Sequence, residues 1–153
     1  MRRKMIDVNL PNCPYYLISR TSLVVTSALK KGFAEEGVEH VRPAYLSVLL
    51  SLYIEDGLKV VELARRAGLE TSTMTGLLDR MERDGLVVRS PDPLDRRAYR
   101  INLTEEGRRV KKPVAKTTQK ILDKVFAGIS PEELDQTAGL LRRVLENANK
   151  GED

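Results

Sequence analysis

Ser72, Thr73, Thr75, Gly76 and Arg80 are small or hydroxylated residues followed by an arginine, and Met74, Leu77, Leu78 and Met81 recur among them at helical spacing. A helix built this way buries its apolar stripe and shows Ser72, Gly76, Asp79 and Arg83 on the opposite side, flanked by Thr73, Thr75 and Arg80. Short hydroxyls can meet base edges or phosphates, and an arginine can bond guanine bidentately, in a major groove about 12 Å wide. Gly76 disfavours an exposed helix interior by about 1 kcal/mol against Ala, and a closely approaching backbone would account for it. A solvated helix face that tolerates one glycine fits the same residues, so the helix alone supports both readings.

A second basic element follows at Arg96 and Arg97, near the tip of the polar, proline-stiffened loop from Ser90 to Arg97. Such a tip can enter a minor groove, whose narrow stretches attract arginine. A solvated turn is the plainer alternative. Asp92 and Asp95 argue against a purely electrostatic role, but either carboxylate could hold an arginine through a bidentate pair. Asp95 is the favoured positioning group.

Other chemistries find little support. Cys13 is the single cysteine, which excludes a disulfide framework and a cysteine-rich zinc site and points to a reducing compartment, the cytoplasm. His40 is the single histidine and reads as a surface or capping residue. With no Cys/His pair, phosphate-cradling glycine loop or metal-spaced cluster, neither an enzyme nor a cofactor or metal site is expected. Two Phe, five Tyr and no Trp are too few rings for a single-strand stacking platform, which leaves duplex as the nucleic-acid partner. The formal charge of +4 is compatible with a phosphate partner and common among other proteins. The basic start lacks a following apolar stretch, and no run approaches the roughly 18 apolar residues of a membrane span, so neither a secretory signal nor a membrane partner is expected.

The elements that must position these residues are mainly helical, with a small β-hairpin. Periodicity predicts a first long helix from about Tyr15 to Glu36 and a buried helix through Tyr45–Tyr53 closed by Gly57. Two short helices follow, Val60–Ala67 and Ser72–Asp84, around a turn in which Gly68 takes positive φ and Thr71 caps the second. Leu86–Arg89 and Ala98–Leu103 read as strands, the latter with Tyr99, Ile101 and Leu103 on its packed face. Thr104-Glu105-Glu106 opens a helix to about Ala127 that Pro113 should kink. Ser130-Pro131-Glu132-Glu133 combines an N-cap, a first-turn proline and a capping-box Glu at the start of the last helix. That helix and the first carry more apolar surface than a small lobe needs, closing either a bundle within the chain or a dimer. One domain over 1–153 is expected.

Leu63-Ala64-Arg65-Arg66-Ala67-Gly68-Leu69, the run from Met74 to Arg89, Asp95-Arg96-Arg97 and Leu103-Thr104-Glu105-Glu106-Gly107 together resemble the MarR family of regulators. The resemblance implies a winged helix-turn-helix lobe at 55–103 and dimerisation helices at 10–36 and 104–150. It implies a homodimer on palindromic duplex DNA, acting as a repressor released by a small amphipathic or phenolic ligand. Arg97 then matches the wing-tip arginine and Asp95 the acidic residue that orients it, while Ser72, Thr73, Thr75, Gly76, Arg80 and Arg96 complete the expected DNA-contacting set. Tyr15, Arg20, Tyr45 and Tyr53 could line a ligand space, though tyrosines at such places more often pack with satisfied hydroxyls. Two alternatives stand beside this reading. One is a peroxide sensor acting through Cys13, against which Pro14 and the lack of a resolving cysteine count. The other is a winged-helix protein-interaction module without DNA affinity.

Overall fold

The computed structural model describes residues 10–150. Contacts group the chain into one unit ending at Ile121 and a second beginning at Leu122.

In the first unit α1, Pro14–Glu35, starts on a proline, which needs no hydrogen-bond acceptor there. It ends where Gly37 takes φ +72°, with the Val38 N–H bonded to the Phe33 carbonyl at 2.9 Å. Leu29 and Phe33 enter the core. A 3-10 turn at Pro43–Tyr45 leads into α2, Leu46–Ile54, whose Val48, Leu49 and Leu52 are buried. Gly57, at φ +74°, lies three residues beyond α2 and turns the chain into a strand that periodicity does not reveal. This β1, Leu58–Lys59, is too short for alternation to register.

Next come α3, Val60–Ala67, and α4, Thr71–Arg83, joined at Gly68 with φ +64°. Thr71 is not the cap expected of it. The left-handed Gly68 lets the Leu69 N–H close on the Ala64 carbonyl at 3.0 Å, so the turn is short and Glu70 takes the cap position with no side-chain bond. β2, Val87–Pro91, and β3, Tyr99–Leu103, form the hairpin, and the antiparallel sheet has the order β1-β3-β2. Leu58 pairs with Ile101 and Val87 with Leu103. Ile101 and Leu103 face the core as expected, but Tyr99 is 52 % exposed because it lies at the loop end of the hairpin, opposite Pro91.

The helix after the hairpin is two helices, α5, Glu105–Arg109, and α6, Lys111–Val125. Thr104 caps α5, its Oγ1 accepting the Gly107 N–H at 3.0 Å. The break falls at buried Val110, upstream of Pro113, which has no N–H for the Arg109 carbonyl. On α1, Gly32 admits the side chains of α6: a Cβ there would stand 2.6 Å from Thr117 Cγ2.

The second unit holds α7, Pro131–Asn149. Its start has the predicted capping box, with the Glu133 N–H on Ser130 Oγ at 3.2 Å and the Ser130 N–H on Glu133 Oε2 at 2.8 Å. Leu140, Leu141, Val144 and Leu145 are exposed on it. Among the described residues, no helix is long and apolar enough to cross a membrane.

Candidate nucleic-acid interface

The stripe predicted on α4 is the one the fold buries: Met74, Leu78 and Met81 are inaccessible and Leu77 nearly so. Ser72, Thr73, Thr75 and Arg80 are exposed. Around Gly76, a Cβ would meet nothing within 4 Å, so no intramolecular packing calls for glycine at this position. Thr75 Oγ1 donates to the Thr71 carbonyl at 2.9 Å, which leaves its lone pairs to accept but no proton to give.

What aims this helix is an arginine to which residue spacing assigns no role. From β2, Arg89 reaches across to α4 with Nη1 on Glu82 Oε2 at 2.7 Å and Nη2 on Asp79 Oδ1 at 2.6 Å. Its own N–H donates to Glu82 Oε1 at 3.2 Å. Asp79, placed by periodicity on the exposed side, is thus a tether between wing strand and helix. No local spacing signals the pair, since the partners lie on different elements.

The other arginines of the segment 55–103 divide cleanly. Arg65 and Arg66 both bond Glu62, at 2.6 and 2.8 Å, and those hydrogen bonds pull the Glu62 carboxyl down to about 2. Arg66 also reaches Glu55, and Arg100 bonds Asp92 at 2.8 Å. By contrast Arg80 and Arg83 on α4 and Arg96 and Arg97 in the loop make no ion pair within the described residues, and all four are exposed. Asp95 does act on Arg97, but not through its guanidinium: Asp95 Oδ1 accepts the main-chain N–H of Arg97 at 3.0 Å. The short Asp-x-Arg spacing favours this backbone bond over a side-chain fork.

A model of the MarR family matches residues 42–99, the stretch from α2 through the loop to β3. The HTH-type transcriptional regulator YfiV of Bacillus subtilis is 35% identical over 108 residues, covering 69% of this chain and 68% of that relative. This chain belongs to the MarR family. The HTH-type transcriptional repressor MdtR of the same organism is 32% identical over 112 residues, covering 73% of this chain and 72% of MdtR. Among solved structures, the PcaV transcriptional regulator of Streptomyces coelicolor, held in complex with its natural ligand, superposes with a TM-score of 0.79 at 27% identity. That match covers 94% of this chain and 99% of PcaV. In the terms of this family's fold α3 and α4 are the helix-turn-helix and the β2–β3 hairpin is the wing.

The residues considered for sensing separate as well. Tyr45 is wholly buried and donates to Asp84 Oδ2 at 2.6 Å, and burial together with that bond pushes its phenol up to about 12. Tyr53 donates to the Gly107 carbonyl at 2.9 Å, and burial raises it likewise to about 12. Both therefore pack as satisfied tyrosines, whereas Tyr15 and Arg20 are exposed on α1. One wall of a cleft of about 440 Å³ is apolar, with Leu52, Tyr53, Ile54 and Leu103. Asp56, Arg108 and Lys111 complete it, the Lys111 ammonium lying 5.2 Å from the Tyr53 ring centre. Cys13 is half-buried at the N-cap of α1. His40 lies with Nε2 2.8 Å from Glu106 Oε1, tying the loop after α1 to α5 rather than capping a helix. Among the described residues no group of His, Cys, Asp and Glu is arranged to hold a metal.

Proposed function

We propose that this MarR-family chain binds duplex DNA in a sequence-specific way as a homodimer in the cytoplasm, with α4 in the major groove and the wing in the minor groove. The observation that carries this reading is the division of the arginines. Those at 65, 66, 89 and 100 are neutralised by carboxylates of the fold, while those at 80, 83, 96 and 97 are left for an external anion. Ser72, Thr73, Thr75, Gly76 and Arg80 form the major-groove surface, and Arg96 and Arg97 the minor-groove tip. On this reading 55–103 is the DNA-binding lobe of one domain over 1–153. The stretches 10–36 and 104–150 supply the dimer contacts, supported by the exposed Leu23 and Val24 of α1 and by the apolar row on α7. The chain acts as a repressor, as MdtR is named, and a small ligand releases it. The cleft beside Tyr53 suits an amphipathic anion, since it joins apolar walls to the Lys111 ammonium, while Arg108 is already held by Asp56 at 2.6 Å.

Selection of bound sequences from a random duplex pool tests the reading. The expected product is a palindrome with half-sites about one helical turn, roughly 34 Å, apart. Binding should weaken steeply as salt rises, because each neutralised phosphate releases counterions. No enrichment at any salt would sink it in favour of a protein-interaction module.

Gly76→Ala separates DNA contact from folding, because its two effects have opposite signs. Nothing obstructs the new methyl, so helix propensity should raise stability by about 0.5–1 kcal/mol. The same methyl stands where a DNA backbone or base edge would approach, so affinity should fall. Thermal melting and a binding titration on one preparation check both; affinity that rises with stability would remove α4 from the groove.

A further inference from the structure

The wing has almost no apolar matter to hold it in shape. Pro93, Leu94, Asp95, Arg96 and Arg97 are exposed, Leu94 at 89 %. Beside them Asp92 is only 3 % exposed, and its side chain is fully covered. Its Oδ1 accepts the main-chain N–H of Leu94 at 2.8 Å and that of Asp95 at 3.0 Å. Its Oδ2 accepts Arg100 Nε at 2.8 Å and lies 3.5 Å from Lys59 Nζ. Arg100, on β3, also donates from Nη1 to the Gly57 carbonyl at 3.1 Å, next to β1. The Asp92 N–H itself closes the loop on the Ala98 carbonyl at 2.9 Å.

A carboxylate taken out of water is unfavourable unless its lone pairs are met, and here four donors converge on two oxygens. The Leu94 N–H bond outweighs burial, and with the Asp95 N–H, Arg100 and Lys59 it holds the Asp92 carboxyl below the usual carboxylate range. Asp92 is therefore charged at neutral pH and fastens three pieces of chain. These are the turn at Leu94–Asp95, the strand β3 through Arg100, and β1 through Lys59 and the Arg100–Gly57 bond.

We propose that Asp92 is the positioning residue of the wing, anchoring the loop to β1 and β3 and so setting where Arg96 and Arg97 meet DNA. Asp95 is the next link outward: Asp92 holds its N–H, and Asp95 in turn holds the N–H of Arg97. Being covered, Asp92 touches no DNA and acts only through the arginines it places. The inference rests on the proposed contact between the wing and DNA.

Asp92→Asn keeps an oxygen for the two amides but turns an NH2 toward Arg100 and Lys59, donor against donor. The test compares it in two backgrounds, wild type and Arg96→Ala/Arg97→Ala, by titrating the selected duplex over a salt series. In the wild-type background it should weaken binding at least about tenfold and flatten the salt dependence, as removal of the arginines does. In the background lacking both arginines it should change affinity less than about twofold, because nothing remains to be placed. A general loss of stability would instead act in both backgrounds alike, and equal losses overturn the proposal. Full affinity of Asp92→Asn beside a weakened Arg96→Ala/Arg97→Ala overturns it too, and leaves the wing–DNA contact standing. Should the arginine-free wing bind like wild type, both readings fall. Arg100→Gln, which removes the ties to Asp92 and to the Gly57 carbonyl and leaves both amide bonds, makes the same comparison if Asp92→Asn does not fold: loss confined to the wild-type background supports the proposal, equal loss overturns it.

Discussion

Arg97→Ala is expected to weaken DNA binding by about 1–3 kcal/mol per half-site while leaving the melting temperature unchanged. The guanidinium is exposed and pairs with no described residue, so the fold loses no contact with it. The bond that matters locally, from the Arg97 N–H to Asp95, belongs to the main chain and survives the substitution. In a symmetric dimer both wings lose the side chain at once, so the total effect on a palindrome is close to twice that on one half-site. Sequence preference should relax most at the positions the wings reach and stay sharp where α4 reads. Anisotropy titrations with full palindromes and single half-sites, set beside thermal melts, measure each part. Affinity that stays at the wild-type value on the full palindrome would take the wing out of the interface and leave α4 as the sole reader.

Gly107→Ala should have the largest effect on folding, destabilising the first unit by about 1–3 kcal/mol or more, as overpacking of a tight core contact does. A Cβ at 107 would overlap the Leu86 carbonyl oxygen and press on Leu103 Cδ2. The backbone has no room to retreat. Its N–H is held by Thr104 Oγ1, its carbonyl accepts the Tyr53 hydroxyl, and the opposing Leu86 carbonyl accepts the Thr104 N–H at 3.1 Å. This junction joins the end of α4, the last strand and α5, so relaxing it would also tilt α4. Urea unfolding of Gly107→Ala beside Gly76→Ala makes the contrast, since the same added methyl should destabilise at one position and stabilise at the other. An unshifted midpoint for Gly107→Ala would mean that the junction is loose.

Much of this fold is legible in the sequence. The apolar stripe of α4, the prolines of the loop, the capping box at Ser130 and the helix start at Thr104 are local features. Each needs only neighbours within a turn or two of chain, and each appears in the structure where the spacing puts it. Where the structure departs from local pattern, a contact from outside the element is responsible. Threonine suits a cap, but the turn closes at Gly68 and leaves Thr71 inside α4. Tyr99 fits the alternation of its strand, yet a residue beside an open loop has little to pack against. β1 exists only because β3 lies beside it, and two residues carry no period of their own.

The sequence by itself determined which residues stand exposed on α4 and at the loop tip, because exposure on a helix and charge at a loop tip follow from residue type and periodicity. Only the tertiary structure decided how those residues are held. Arg89 finds Asp79 and Glu82, and Asp92 finds Arg100 and Lys59, across elements brought together by burial of the core. A carboxylate in the chain is the same residue whether it is solvated, faces DNA or lies covered between two cations. What separates these fates is desolvation, and desolvation is a property of the packed molecule.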